Sequence, residues 1–182
     1  MGRSYSENIF DVNERIFLRP LTISDAQQSL YLINKNRERL AEWLPWVAHV
    51  KCIDDEINFI QSSITTIEDG TSLEMGLFER NTSTIIGMCC FVSITDQTGY
   101  IGYWLDSDYT GKGIITQACK KIMEVGFQQL NLKKIVIHAH PANKNSRAVA
   151  ERLNFKTNGK LQPVLYFGST VDRLVYEYLK PQ

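Results

Sequence analysis

The sequence predicts a mixed α/β fold built on a mainly antiparallel sheet, and three observations lead there. Apolar residues alternate at period two in several short segments, as in Leu73, Met75 and Leu77. They recur at near-helical spacing in others, as in Ile53, Ile57, Ile60, Ile64 and Ile67. Turn-forming clusters join neighbouring strand-like runs, and so short a link favours antiparallel partners.

Taken in order, the chain opens with a strand around Arg15 to Arg19. Thr22-x-x-Asp25 is a cap-like start for a helix carrying Ala26, Leu30 and Ile33. A second helical stretch runs toward Leu44 and must stop by Pro45. Asp54-Asp-Glu56 suits the N-terminal dipole of the isoleucine-rich helix, which continues to Gly70.

The strand at Leu73 to Leu77 is followed by the turn cluster Asn81 to Thr84, a strand from Ile85 to Ile94 and another from Tyr100 to Leu105. A helix from Gly113 to Leu130, a strand at Lys134 to Ala139 and a helix from about Asn145 to Leu153 come next. A hairpin of Leu161 to Phe167 and Val171 to Leu179, turning at Gly168-Ser169, closes the fold.

The segment Gly102 to Cys119 is the most informative. A strand breaks into a turn containing Gly111 and Gly113 and then enters a helix, so backbone N–H groups face an anion of pyrophosphate size. Ile114, Ala118, Ile122 and Val125 share one helical face and anchor the turn. A glycine pair before a helix also serves a simple tight turn, and the residues alone leave both readings open. The Walker loop and the dinucleotide fingerprint do not match: the first needs Gly-Lys-Ser/Thr, the second a glycine where Thr116 stands.

Composition narrows the field. With 182 residues, 43% of them apolar, and five scattered prolines, the chain suits one sizeable core, and a single domain over residues 1–182 is expected. Twenty basic and twenty acidic side chains leave no broad positive field for nucleic acid, so any phosphate recognition is local. No apolar run approaches membrane-spanning length. The N-terminus lacks a signal-peptide core, and Cys52, Cys89, Cys90 and Cys119 show neither zinc spacing nor a disulfide framework, which points to the cytoplasm. Met1-Gly2 with Ser6 formally matches a myristoylation pattern, with no second lipid signal beside it. His138 and His140 point to one face of a strand, but two ligands do not make a metal site.

A second segment, Asn143-Lys-Asn-Ser-Arg through Leu153-Asn-Phe155, follows the apolar run Ile135 to Ala139. Together with Gly102-Tyr-Trp-Leu and Gly111-Lys-Gly, it resembles the GCN5-related N-acetyltransferase (GNAT) superfamily, and within it the RimJ/RimL branch that acetylates ribosomal-protein N-termini. The resemblance extends from Leu18-Arg-Pro-Leu and Trp43-Leu-Pro-Trp46 to Asp172 and Tyr176.

The resemblance implies a seven-stranded sheet splayed between the fourth and fifth strands, about four flanking helices, and acetyl-CoA as co-substrate without a metal. It implies a cofactor site of Trp104, Leu105, Thr110, Gly111, Lys112, Gly113, Ile114, Asn143, Ser146 and Arg147. Backbone groups near Trp104 and Leu105 would pair with the pantetheine arm as with an added strand, and one N–H there, assigned to Leu105, would hold the oxyanion. Asn143 would bind a pantetheine amide and Ser146 would protonate the departing thiolate, the tyrosine many members place on this helix being Ala150 here. As plain residues, Asn143 and Ser146 are equally good helix caps.

Three departures from the family pattern stand out. Asp108 stands where the family often has Gln or Arg, and Asn154 replaces a glycine, which Asn can do because it tolerates left-handed backbone angles. Tyr100 replaces a frequent Glu, so Glu74 is the substitute candidate for general base, an ordinary strand carboxylate being the alternative. The acceptor implied is the N-terminal α-amine of a protein. A small amine, or a CoA-binding module without turnover, is the alternative. Trp43, Pro45 and Trp46 stand where an acceptor groove is expected, and self-association is common in the family.

Overall fold

The sheet is laid down in chain order up to its fifth strand, through short turns except for the helical connection from Arg19 to Gly76, and a later crossover decides where it opens. The computed structural model describes residues 8–166 and 168–181; the Met1-Gly2 to Ser6 pattern and Phe167 lie outside the described residues. Strands β1 (Phe10–Asp11), β2 (Ile16–Arg19), β3 (Gly76–Glu79), β4 (Thr84–Thr95) and β5 (Thr98–Leu105) pair antiparallel, each with the next. The helix Ile114–Gln128 carries the chain back across the sheet, so β6 (Lys134–Ala139) runs parallel to β5. The long closing strand β8 (Ser169–Leu179) lies between β6 and β7 (Leu161–Tyr166).

The sheet therefore has eight strands, not seven. The extra one is Phe10–Asp11, held by Phe17 and Leu18, and two residues are too few to leave a period in the sequence. The split expected between the fourth and fifth strands falls between β5 and β6 in this numbering. Their pairing runs only from Thr98 with Lys134 to Ile101 with Ile137, and Tyr103 to Leu105 continue without β6. A bulge at Val92 shifts the β4–β5 register beside that point.

The helices are α1 (Ala26–Lys35), α2 (Arg37–Ala41), α3 (Ile53–Glu68), α4 (Ile114–Gln128) and α5 (Lys144–Arg152). Their starts follow the caps. Asp25 accepts the Thr22 N–H at 2.7 Å, opening a 3-10 turn at Ile23–Asp25 that leads into α1. Asp55 accepts the N–H groups of Lys51 and Cys52 at 2.7 and 2.9 Å, starting α3. The second helical stretch stops early, and Pro45 opens a 3-10 turn at Pro45–Ala48. Asn154 adopts φ +62° just past α5, the left-handed stop expected where the family has glycine.

Two cores cover the faces of the sheet. Leu77, Ile86, Cys89, Phe91, Ile101 and Leu105 pack against α4 and α5, whereas Phe78, Met88, Cys90 and Trp104 pack under α1 to α3. On the first face the Phe91 ring fits between two glycines: a Cβ on Gly99 would lie 2.6 Å from it, and one on Gly126 in α4 2.7 Å. Gly126→Ala gains roughly 1 kcal/mol of helix propensity but overpacks a locked ring at a cost of about 1–3 kcal/mol. The expected outcome is a protein destabilised by up to about 2 kcal/mol in denaturant melts.

Candidate active site

The turn after β5 leaves backbone N–H groups open at a helix start. Gly111 and Gly113 take left-handed φ values of +76° and +71°, and nothing lies within 4 Å of a Cβ placed on Gly111. Gln117 N–H makes an α4 bond back to Gly113 O at 3.1 Å, so the N–H groups ahead of it open the helix without an intrahelical acceptor. Ile114 is buried and fixes that end to the core. Thr110 Oγ1 donates to Ser107 O at 2.8 Å and stiffens the turn.

Asp108 is compatible with this role because a cation answers it. Lys35 Nζ donates to Asp106 Oδ2 and Asp108 Oδ2, both at 2.7 Å. Burial works against the charge of Asp106, but the hydrogen bonds from Lys35 and Asn36 hold its carboxyl below the usual range. The same bonds push the Lys35 ammonium up. Asn36 also accepts the Ser107 N–H at 2.9 Å, which ties α1 to the entrance of the turn.

Ladder phase determines which backbone groups face the split. Asp106 N–H donates to Ile86 O at 2.7 Å, with Gly87 opposite Leu105 and Met88 opposite Trp104. Bonded and non-bonded pairs alternate along an antiparallel ladder, so Trp104 bonds to β4 while the N–H and C=O of Tyr103 and Leu105 turn toward the gap. The expected pair Trp104 and Leu105 is thus corrected to Tyr103 and Leu105. Trp104 contributes its ring instead, buried and 6.4 Å from that of Trp46. The Leu105 carbonyl accepts from Arg39 of α2, a residue the sequence did not single out.

A cleft of about 2220 Å³ passes through the split and opens on both faces. Glu74, Trp104, Leu105, Thr110, Gly111, Gly113, Ile114, Asn143 and Ser146 all line it. Lys112 and Arg147 do not. The Lys112 ammonium folds back onto Asp108 O at 2.8 Å, and Arg147 donates to Tyr176 OH at 3.3 Å and Pro141 O at 3.1 Å. Arg152 of the same helix lines the cleft and donates to Thr116 Oγ1 at 3.2 Å beside the first turn of α4. Asn145, Val149 and Arg152 line one face at helical spacing, a signal present in the sequence.

On the α5 side, Asn143 Oδ1 accepts the Ser146 N–H at 3.0 Å, capping the helix and fixing the serine. Ser146 Oγ lies 2.9 Å from Tyr103 OH, which also donates to Ser146 O at 3.1 Å. Burial raises the Tyr103 phenol and keeps it protonated. On the opposite face, Glu74 precedes β3 between the core residues Leu73 and Met75, and it points under α1 to α3 beside Cys90. Burial raises its carboxyl, only partly offset by the Cys90 thiol.

Tyr100 lines the cleft with its ring 5.5 Å from that of His138. Burial, with the charge of Arg173, lowers His138 and favours neutral imidazole. His140 lies beyond the strand and packs on Trp43, ring centres 5.4 Å apart, so the two histidines do not converge. Among the described residues no group of three or more His, Cys, Asp or Glu is placed to hold a metal, and no helix is long and apolar enough to cross a membrane.

Comparisons with known proteins agree with this geometry. The family model described as Acetyltransferase (GNAT) domain matches residues 15–156. The Bacillus subtilis (strain 168) protein YdaF is 33% identical over 168 residues, 91% of each chain. The solved structure of the microcin C7 self-immunity acetyltransferase MccE, in complex with acetyl-CoA and AMP, superposes with a TM-score of 0.86 at 31% identity, covering 97% of this chain and 99% of that one. RimL, the ribosomal L7/L12 alpha-N-protein acetyltransferase in complex with coenzyme A, gives 0.86 at 26% identity, covering 94% and 98%. A split sheet, a glycine cradle at a helix start and a family model matching most of the chain lead to one conclusion: this chain belongs to the GNAT acetyltransferases.

Proposed function

We propose that the protein transfers the acetyl group of acetyl-CoA to the N-terminal α-amine of a protein, a ribosomal protein being the first candidate. The observation that carries this reading is the placement of two groups on opposite faces of the split. Glu74 stands in the chamber under α1 to α3, and Ser146 stands on the α5 side.

The cradle fits a diphosphate: backbone N–H groups at the start of α4 lack intrahelical acceptors, and Arg152 adds a charge. Tyr103 and Leu105 offer N–H and C=O to the amides of the pantetheine arm, Arg39 releasing the Leu105 carbonyl as they pair. The Leu105 N–H faces the carbonyl oxygen where negative charge develops. Glu74, directly or through a water, takes a proton from the amine as its nitrogen bonds to the acetyl carbon. The carbon–sulfur bond breaks, and Ser146 relays a proton to the thiolate, taking its replacement from solvent water in the cleft.

An α-amine suits a single carboxylate base. Its pKa of about 7.7–8.0 leaves roughly a tenth or more neutral at pH 7, whereas a lysine amine near 10.4 requires about 3.4 kcal/mol more. The test is thiol release from acetyl-CoA with peptides of differing first residues. Turnover on peptides is the expected result; tight CoA binding with no turnover on any amine would refute the reading. Ser146→Ala should lower kcat about tenfold with little change in CoA affinity, a modest loss because a leaving thiol of pKa near 8.5 needs little help. Isothermal titration with CoA beside steady-state rates checks both halves.

A further inference from the structure

Glu56 is a buried acid with no cation beside it. It sits in the first turn of α3, 2% exposed, and Ser29 Oγ–H donates to its Oε2 at 2.6 Å. None of the ion pairs among the described residues includes it. Its second oxygen accepts no side-chain bond there, and Ser63 Oγ is the fully buried polar atom without a partner, so this oxygen is reached from the cleft that Glu56 lines.

The fold does not require the charge. Asp55 caps α3, and a neutral amide would accept the Ser29 hydrogen equally well. A carboxylate in this position has the Ser29 hydrogen bond and the N-terminal dipole of α3 against its desolvation but no cation, which is the condition a cationic ligand relieves.

The surroundings define what enters. Ile33, Leu40, Val50 and Phe59 line the chamber from the helical side, Met88 and Cys90 from the sheet, and Glu74 rises from its floor. Most basic residues lining the cleft lie elsewhere: Lys134, Lys144, Arg152 and Arg173 belong to β6, α5 and β8, and Arg39 is bound to Asn36 and Leu105, whereas His49 lines the cleft beside Val50 without forming an ion pair to Glu56. The chamber thus offers apolar walls suited to methylenes and, besides the Asp55 that caps α3, two acids, one placed for the reacting nitrogen and one set apart.

We infer that Glu56 is the anionic end of an acceptor subsite for a second, non-reacting cationic nitrogen carried by the molecule being acetylated. The inference rests on the acetyltransferase reading and names its acceptor class. Two sources have this chemistry: a linear diamine, and a peptide whose first residue is Lys or Arg.

The experiment compares kcat/KM for diaminobutane against butylamine, and for Lys-first and Arg-first peptides against an Ala-first peptide, in wild type and Glu56→Gln. Wild type should prefer at least one dication about tenfold or more, as expected when a buried carboxylate gains its partner. The pair with the larger ratio identifies the source, and in Glu56→Gln that ratio falls toward one. Glu56→Asp, which retracts the charge, should shift the optimum to a longer diamine and serves if Glu56→Gln does not fold. No preference in wild type, or a preference that survives Glu56→Gln, overturns the proposal. Calorimetric titration of wild type with diaminobutane, expected to bind more tightly than butylamine, reads the subsite without turnover. If no amine releases CoA but the diamine still binds preferentially, the transferase reading fails and the cation subsite stands.

Discussion

Glu74→Gln is expected to lower kcat by about 10²–10⁴-fold, the usual contribution of a positioned general base. Affinity for CoA should remain unchanged, because Glu74 lies on the chamber side of the split, away from the cradle and α5. The reason is protonic. The amine nitrogen gains a positive charge as it attacks, while the oxyanion forms on the acetyl carbon, and Glu74 is a half-buried carboxyl on the floor of the chamber, raised by desolvation and thereby brought closer to a base that works near neutrality. The rate of the wild type should fall as pH drops through a value above the ordinary carboxylate range, and Glu74→Gln should lose that limb of the profile. A variant retaining both the rate and the limb would assign the proton to water or another group.

The same raised pKa has a stability consequence of opposite sign. A carboxyl whose folded pKa exceeds its unfolded value, about 4.3, favours the folded state below that unfolded value and loses the contribution as pH rises through the folded one. Near neutrality the ionised Glu74 therefore weakens the fold. Glu74→Gln should be the more denaturant-resistant protein at neutral pH, with the difference vanishing in acid. Loss of activity with gain of stability distinguishes a lost base from a damaged fold.

Gly111→Val is expected to weaken CoA binding by about 10²–10⁴-fold, the equivalent of two charge-assisted hydrogen bonds at roughly 1.5–3 kcal/mol each. The open space around Gly111 is the space the diphosphate would fill, and φ +76° is a conformation a β-branched residue resists. Gly70 provides the control. It has φ +70° and equally open surroundings, at the end of α3 rather than in the cradle, so Gly70→Val carries the same strain without touching the cofactor. Isothermal titration with CoA should find binding lost in the first variant and kept in the second. Equal affinity in both would remove the diphosphate from this turn.

Much of the fold was legible in short windows of sequence. The strand Lys134–Ala139 has the bounds its apolar run predicts, the isoleucines of α3 share a face, and the Thr22/Asp25 start behaves as a capping box. Each is decided by neighbours a few residues apart. The cradle was legible for the same reason, since Gly111 and Gly113 need their φ values whatever packs around them.

The site was legible only in part. Arg147 and Arg152 lie on one helix and look alike in the sequence, yet the first is bound to Tyr176 and Pro141 while the second reaches the start of α4. Lys112 sits inside the cradle sequence and still turns back on Asp108. Asp108, an apparent liability, is answered by Lys35, which is 73 positions away along the chain.

By itself the sequence determined which elements form, where most of them stop, and that a glycine turn leads into α4, because propensity, caps and periodicity act within a few residues. Tertiary structure decided which groups meet: Tyr103 rather than Trp104 at the gap, Tyr103 against Ser146, Glu74 and Glu56 under the same helices. The physical reason is that a one-residue change of strand phase reverses every side chain and backbone group. That phase is set here by partner strands, the Val92 bulge and the end of pairing at Ile101.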